Sequence, residues 1–470
     1  MKHIWFGTSW FLLILVACSS KEPSVARLGK ERITLEEFKT AYLEVVKQPN
    51  VFDSHELREQ FLDELIDRRL LADEARRLGL AKDERLQYRF AAFRDKALRD
   101  LHFQQVIKPK IHFSETDLER SYAWMNEERR ISHLFCASKP AADSLYTLLQ
   151  QGVDWNSLAQ RTFDDLRLAQ SGGDLGWVAW EQLEYDLANT TFNLPLKTPS
   201  RPVASSYGWH ILKVTDWRKT PLLSEAQYQL QRRNARTLLE QKLGDKAALA
   251  YIGGLMRDKK IRIYPASLRA VGERLGVILQ RQPSTADQLH LEQLNEAEMG
   301  RIESSLWEQR REPLASIDGD ILTIGEFIAA LNYIPYYAAH RSMKTALDYV
   351  LRDRALSREA REMGLERAPQ VRIRTALFEQ NHLQMARRRS LLAEVRVDSC
   401  DLKRYYREHY AGRYPNLASG EATELLRREV MTAKRAATLQ EHLQQLRGQV
   451  RIEKNSAPIH AWYDAVLKQQ

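Results

Sequence analysis

The side chains with most to offer chemically lie between Ile131 and Val214. Ile131-Ser-His-Leu-Phe135 alternates as a strand, with Ile131, His133 and Phe135 on one face. Gly208 to Val214 reads as a second strand and places His210 and Leu212 on one face. Between them Gly172, Gly173 and Gly176 mark a tight turn around Asp174, where positive φ costs little. Asp165 stands just before that turn. A lone histidine on a strand is more often a satisfied core residue than a catalyst. Two such histidines among apolar neighbours could instead supply hydrogen bonds inside a dry pocket. That chemistry needs no metal and no cofactor. Cys18, Cys136 and Cys400 show neither a disulfide framework nor metal-ligand spacing. Cys136 and Cys400 read as small buried apolar residues.

Taken in order, Ile131-Ser-His-Leu-Phe135, Gly172-Gly-Asp-Leu-Gly-Trp177 and Tyr207-Gly-Trp-His-Ile-Leu-Lys-Val214 resemble a parvulin-type peptidyl-prolyl cis/trans isomerase domain. Asp154-Trp155-Asn-Ser-Leu158-Ala159 matches a helix of that family, with Trp in place of Phe. The resemblance implies an FKBP-like α/β domain over 131–218. It implies a shared catalytic site at His133 and His210, with Asp165 as the central polar group. It implies substrate-binding walls at Leu183, Leu187 and Phe192, and substrates that are polypeptides with X-Pro bonds. Several residues depart from the pattern. Leu187 stands where an aromatic is common, and Phe163 and Leu168 where small polar residues are usual. The short loop from Ala137 to Pro140 carries no Arg cluster, which argues against phosphate-directed specificity.

The elements around this stretch look like a holder that occurs twice. Val25 to Phe38 reads as strand, turn, strand and helix start, with Thr34 and Glu37 as a capping box. Asp53-Ser-His-Glu56 offers a second capping box, and Gly79 is placed to end the helix behind it. Leu314 to Phe327 repeats the opening, and Asp348 to Leu365 repeats Asp63 to Leu80 without a gap. A long helix and a short strand close each copy, near 224–263 and 420–452. The first copy with its insertion resembles the SurA/PrsA group of envelope foldases. The expected fold class is therefore α+β, with two mainly helical chaperone modules, the first interrupted by the isomerase-like domain. The expected boundaries are 25–130 plus 219–266 for the first module, 267–313 for a polar connector, and 314–470 for the second.

The bulk numbers fit this picture. The chain has 470 residues, too many for one core, with 44% hydrophobic and 28% charged residues. Net charge is +9, but Lys and Arg alternate with Asp and Glu as on solvated helix faces, and no nucleic-acid motif occurs. Met1-Lys-His3 and an apolar stretch to Ala17 read as a signal peptide over 1–17. Leu15-Val-Ala-Cys18 resembles a bacterial lipobox. It implies lipidation at Cys18, a tether over 18–24 and a place in the cell envelope. Ser19 implies the periplasmic side of the outer membrane in a Gram-negative cell. The expected function is isomerase and chaperone for unfolded exported polypeptides. The alternatives are an inactive parvulin-fold chaperone and an assembly lipoprotein with one fixed partner.

Overall fold

The computed structural model describes residues 22–219, 225–278, 296–334, 343–410 and 420–467. The signal peptide, Cys18 and the Gln282-Pro-Ser-Thr285 stretch lie outside the described residues. The chain divides into two compact units. One contains the chain up to Arg94 and the chain from Arg367 on; the other is Asp95 to Glu366.

In chain order the elements are β1 (Ser24–Leu28), β2 (Glu31–Thr34), α1 (Leu35–Val46), α2 (His55–Arg77), α3 (Glu84–His102), α4 (Glu115–Met125) and β3 (Glu127–Cys136). Next come α5 (Lys139–Gln150), α6 (Trp155–Thr162), α7 (Leu166–Gln170), β4 (Asp174–Ala179), α8 (Tyr185–Asn193), β5 (Val203–Ala204) and β6 (Trp209–Lys219). They are followed by α9 (Glu225–Met256), β7 (Ile261–Ile263), α10 (Pro265–Ile278), α11 (Glu296–Leu306), β8 (Pro313–Ile317), β9 (Asp320–Thr323) and α12 (Ile324–Ala330). The last are α13 (Met343–Glu362), α14 (Pro369–Ala393), α15 (Ser399–His409), α16 (Gly420–Gln449), β10 (Ile452–Lys454) and α17 (Ala457–Leu467).

Both copies open alike. Thr34 accepts from Glu37 N while Glu37 reaches back to Thr34 N, and Thr323 and Glu326 do the same. Each box satisfies donors that a helix N-terminus leaves free. At the next helix Ser54 is the cap, accepting from Leu57 N at 3.0 Å. Asp53 is left to take the buried Arg58 guanidinium and the Tyr42 hydroxyl. Gly79 and Gly364 end α2 and α13 at positive φ, 78° and 76°.

The strand that closes each hairpin differs from the sequence expectation. The hairpin β1–β2 pairs with β10, and β8–β9 pairs with β7. Each unit is thus built from the front half of one copy and the back half of the other. In the first unit Phe38, Tyr42, Phe61, Leu62 and Ile66 pack with Leu446 and Ile459. Burying each such side chain contributes roughly 1.5–3 kcal/mol, so the two halves depend on each other. The segment expected as a polar, partly helical connector carries helices, but they are packed rather than linking. Val271 and Leu275 of α10 and Met299, Ile302 and Leu306 of α11 are buried in the core around β8.

Within the second unit a four-stranded antiparallel sheet has the order β4-β3-β6-β5. Leu134 and Ile211 face α6, packing on Trp155, Leu158 and Ala159. Ile131 and Leu212 face the opposite way, onto Leu187 of α8. Strand alternation therefore assigns the two histidines to the α8 face. No helix among the described residues is long and apolar enough to cross a membrane.

Candidate active site

The site begins with the register of two central strands. β3 and β6 run antiparallel with His133 opposite Leu212 and Phe135 opposite His210. His133 and His210 are thus diagonal neighbours on one face, within reach for side chains of this size. Their Nδ1 atoms are 3.2 Å apart. Two glycines make this close packing possible. Gly173, at φ +72°, accepts from His133 N at 2.9 Å, and a Cβ there would run into the His133 carbonyl oxygen. Gly208, at φ +147°, leaves no room for a Cβ against Cys136 O at 2.7 Å.

A hydrogen bond between two Nδ1 atoms requires one to carry a proton and the other to be bare. The electrostatics favour neutral rings. Burial first, and the neighbouring His210 second, push the His133 imidazole down to about 4. Burial also lowers His210, with Glu184 pulling weakly the other way. The far nitrogen of His210 lies 2.8 Å from Ser205 Oγ. The Nε2 of His133 is buried without a hydrogen-bond partner among the described residues. Phe163 lies over His133, with ring centroids 5.2 Å apart, and Phe135 lies 5.3 Å from His210. The result is a dry, uncharged pair whose hydrogen bonds fix its orientation.

The other expected site residues are placed differently from one another. Leu187 is buried against Ile131 and Leu212, on the histidine face of the sheet, with the half-buried Leu183 beside it. Phe192 turns away, packing with Trp180, Ala188 and Leu239 of α9. Asp165 is exposed and serves as the N-cap of α7, accepting from Arg167 N at 2.8 Å and Leu168 N at 3.3 Å. None of these bonds joins it to the histidines. Cys136 is buried, but Cys400, expected buried, is exposed at the first turn of α15. Among the described residues no cluster of His, Cys, Asp and Glu could hold a metal ion.

Ser205 is the site residue that sequence reasoning missed. Its signal was the Ser205-Ser-Tyr-Gly208 turn before the second histidine. Ser205 N donates to Gly208 O at 2.8 Å, which folds the serine back beside His210.

This arrangement suits a reaction that breaks no bond. The barrier to rotating a peptide bond is about 18–20 kcal/mol and comes from lost resonance. A dry face disfavours the more polar planar amide, and oriented donors or acceptors stabilise the twisted one. Neutral imidazoles can do both.

Comparison with known proteins agrees with this chemistry. The family described as PPIC-type PPIASE domain matches residues 127–218, and the SurA-like N-terminal domain matches residues 2–123. The foldase protein PrsA of Bacillus subtilis is 28% identical over 255 residues, covering 52% of this chain and 83% of that protein. PrsA of Geobacillus sp. (strain WCH70) is 27% identical over 180 residues, which span 38% of this chain and 64% of the relative's length. Among solved structures, the parvulin domain of PpiD from E. coli is 25% identical, covering 20% of this chain and 90% of that one, with a TM-score of 0.18. The chain therefore joins a PPIC-type peptidyl-prolyl isomerase domain to a SurA-like N-terminal domain, the make-up of a PrsA/SurA-like foldase.

Proposed function

We propose that this protein is an envelope foldase that isomerises X-Pro bonds in unfolded exported polypeptides while its helical modules hold them. The observation that carries this is the neutral histidine pair, 3.2 Å apart, on the apolar sheet face beside Leu187. His133 and His210 orient the amide, Leu183 and Leu187 receive the proline ring, and Ser205 holds His210. Asp165 enters only if the client moves α7, because its carboxylate is spent on capping. The domain limits of the isomerase are 131–218. Uncatalysed isomerisation takes on the order of 10–100 s, long enough to limit folding. The test is refolding of a client whose slow phase is proline isomerisation. The chain should accelerate that phase, and His133→Ala with His210→Ala should remove at least about tenfold of the gain. A double variant that stays folded and keeps the wild-type rate would overturn the assignment.

A second reading is favoured by two placements: Asp165 away from the pair and Phe192 in the core. Here the domain binds client peptides without accelerating them, and the same assay would show suppressed aggregation with an unchanged slow phase. In either reading Cys18 carries the lipid anchor, on the periplasmic side of the outer membrane if the cell is Gram-negative. Two acyl signals suffice for stable anchoring. Cys18→Ser should move the protein into the soluble fraction; continued sedimentation with membranes would refute the anchor.

A further inference from the structure

The turn that carries Leu183 is held from outside the isomerase domain. Lys242 of α9 is only 6% exposed. Its ammonium donates to the carbonyl oxygens of Glu181, at 3.2 Å, and of Leu183, and lies 5.0 Å from the Trp180 ring centroid. Burial pushes this lysine down to about 8, yet its two carbonyl acceptors and the ring face satisfy it in place. One turn on, Lys246 pairs with Asp186 at 2.6 Å. One turn back, Leu239 packs on Trp180, Ala188 and Phe192. The helix is therefore fixed along one edge of the segment that supplies the proline walls.

Beside this seam runs a groove of about 510 Å³, within the size range of ligand sites. Its floor and walls include Leu183, Tyr185, Leu249 and Ala250, and its far end reaches Ser205. Ser205 is also the partner of His210, so the groove ends one side chain away from the histidine pair, which does not itself line it. Both lysines in the wall are already engaged. The carboxylates of Glu181 and Asp245 lie on exposed residues without a hydrogen bond or close ion pair among the described residues, but both act on the Lys242 ammonium, and burial raises Asp245.

We propose that this groove is a second subsite of the isomerase, occupied by the stretch of client chain flanking the proline, with a Lys or Arg at its rim. The occupant follows from continuity: a chain whose proline lies by Leu187 and whose amide lies by the histidines must leave past Ser205. An extended stretch of three residues spans roughly 10 Å. Apolar floor and an excess of carboxylates over lysines in the lining together select a chain with small or apolar residues and one basic residue. Such binding lowers KM without changing kcat, because it acts on ground and transition state alike.

The proposal rests on the isomerase reading, and its test separates the two. Cis/trans exchange would be measured by NMR, with the chain beginning at Glu22, on three substrates: a four-residue Ala-Pro peptide, an eight-residue peptide with flanking lysines, and the same octapeptide with glutamates. The lysine octapeptide should show a KM about tenfold below that of the tetrapeptide. Ala250→Trp, at an exposed helix position, should raise the lysine octapeptide KM about tenfold, with kcat held. Glu181→Lys with Asp245→Lys should reverse the preference for lysine over glutamate. Equal KM values for short and long peptides, or an unchanged KM in Ala250→Trp, would overturn the groove. If no exchange is catalysed, a fluorescent octapeptide with Ala in place of Pro decides the matter. Binding that Ala250→Trp weakens would keep the groove and discard the isomerase; absence of binding would discard the groove as well.

Discussion

Each of the two units carries a mostly buried polar cluster at an equivalent place, and the two are filled differently. In the first unit Glu74 takes Arg387 Nε and His442 Nε2, each at 2.7 Å. In the second, Glu359 takes the Tyr251 hydroxyl at 2.8 Å and lies 3.2 Å from His102 Nε2. Glu74 and Glu359 match in the repeat of Asp63 to Leu80 by Asp348 to Leu365. Continuing that alignment sets His102 against Arg387. Aligning β7 with β10 through their partners Ile317 and Leu28 sets Tyr251 against His442. In both cases the glutamate comes from the front half of one copy and its partners from the back half of the other. A neighbouring pair keeps its chemistry: Arg69 holds Glu31 and Glu37, and Arg354 holds Asp320 and Glu326.

The difference is one of charge. Burial raises the Glu74 carboxyl, but the Arg387 and His442 hydrogen bonds outweigh it and hold the group below its usual range. In the second unit burial lowers His102 against the pull of Glu359, and burial with the Glu359 hydrogen bond pushes Tyr251 up to about 12. One cluster is locked by a permanent cation. The other has a neutral tyrosine donor and a histidine whose neutral form burial favours. The exchange of halves is common to both units, so the backbone arrangement does not depend on which chemistry fills the cluster.

Removing the cation is the strongest way to break this comparison. Arg387→Met leaves Glu74 with His442 alone and should cost the first unit about 2–3 kcal/mol, since a mostly buried partner is lost. His102→Gln keeps a donor for Glu359 and should cost less. Urea unfolding of both variants checks this; equal losses would mean that the clusters are energetically alike.

Acidification is a gentler probe. His102, His133 and His210 all have folded pKa values below the ordinary 6.5, so the unfolded state binds more protons as pH falls. The contribution of these three histidines to the second unit is full above about pH 6.5 and is lost as pH falls toward the folded values, about 4 for His133. Glu74 is depressed from 4.5, so its contribution to the first unit is kept until pH falls below that value. Hydrogen-exchange protection, taken relative to the intrinsic rate at each pH from 7 to 5, should fall in Asp95 to Glu366 before it does so in the first unit. Uniform change across both units would contradict the assignment of charge states.

Local rules explain what was legible in the sequence. Strand alternation grouped His133 with Ile131 and His210 with Leu212, the family resemblance paired the two histidines, positive-φ glycines marked the turn that locks His133, and the Thr34 capping box stood where the spacing put it. The repeat itself was visible as matched residues. Its exchange was not, because Ile261-Arg-Ile263 and Ile452-Glu-Lys454 are three-residue strands with nothing local to say which hairpin each completes. Asp165 was ambiguous for a similar reason: an aspartate before a short helix satisfies a cap as readily as a pocket. The packed pair α10 and α11 was hidden by the polar stretch around Gln282 that divides it.

The central claim is that the histidine pair sits in a working isomerase, and exchange spectroscopy on a short Ala-Pro peptide tests it most directly. Wild-type chain beginning at Glu22 should broaden and exchange the cis and trans resonances at substoichiometric concentration, uniformly above pH 6.5. The double variant His133→Ala, His210→Ala should lose at least about tenfold of that rate while its amide spectrum stays dispersed. A folded wild-type chain that leaves the exchange rate at its uncatalysed value would contradict the account.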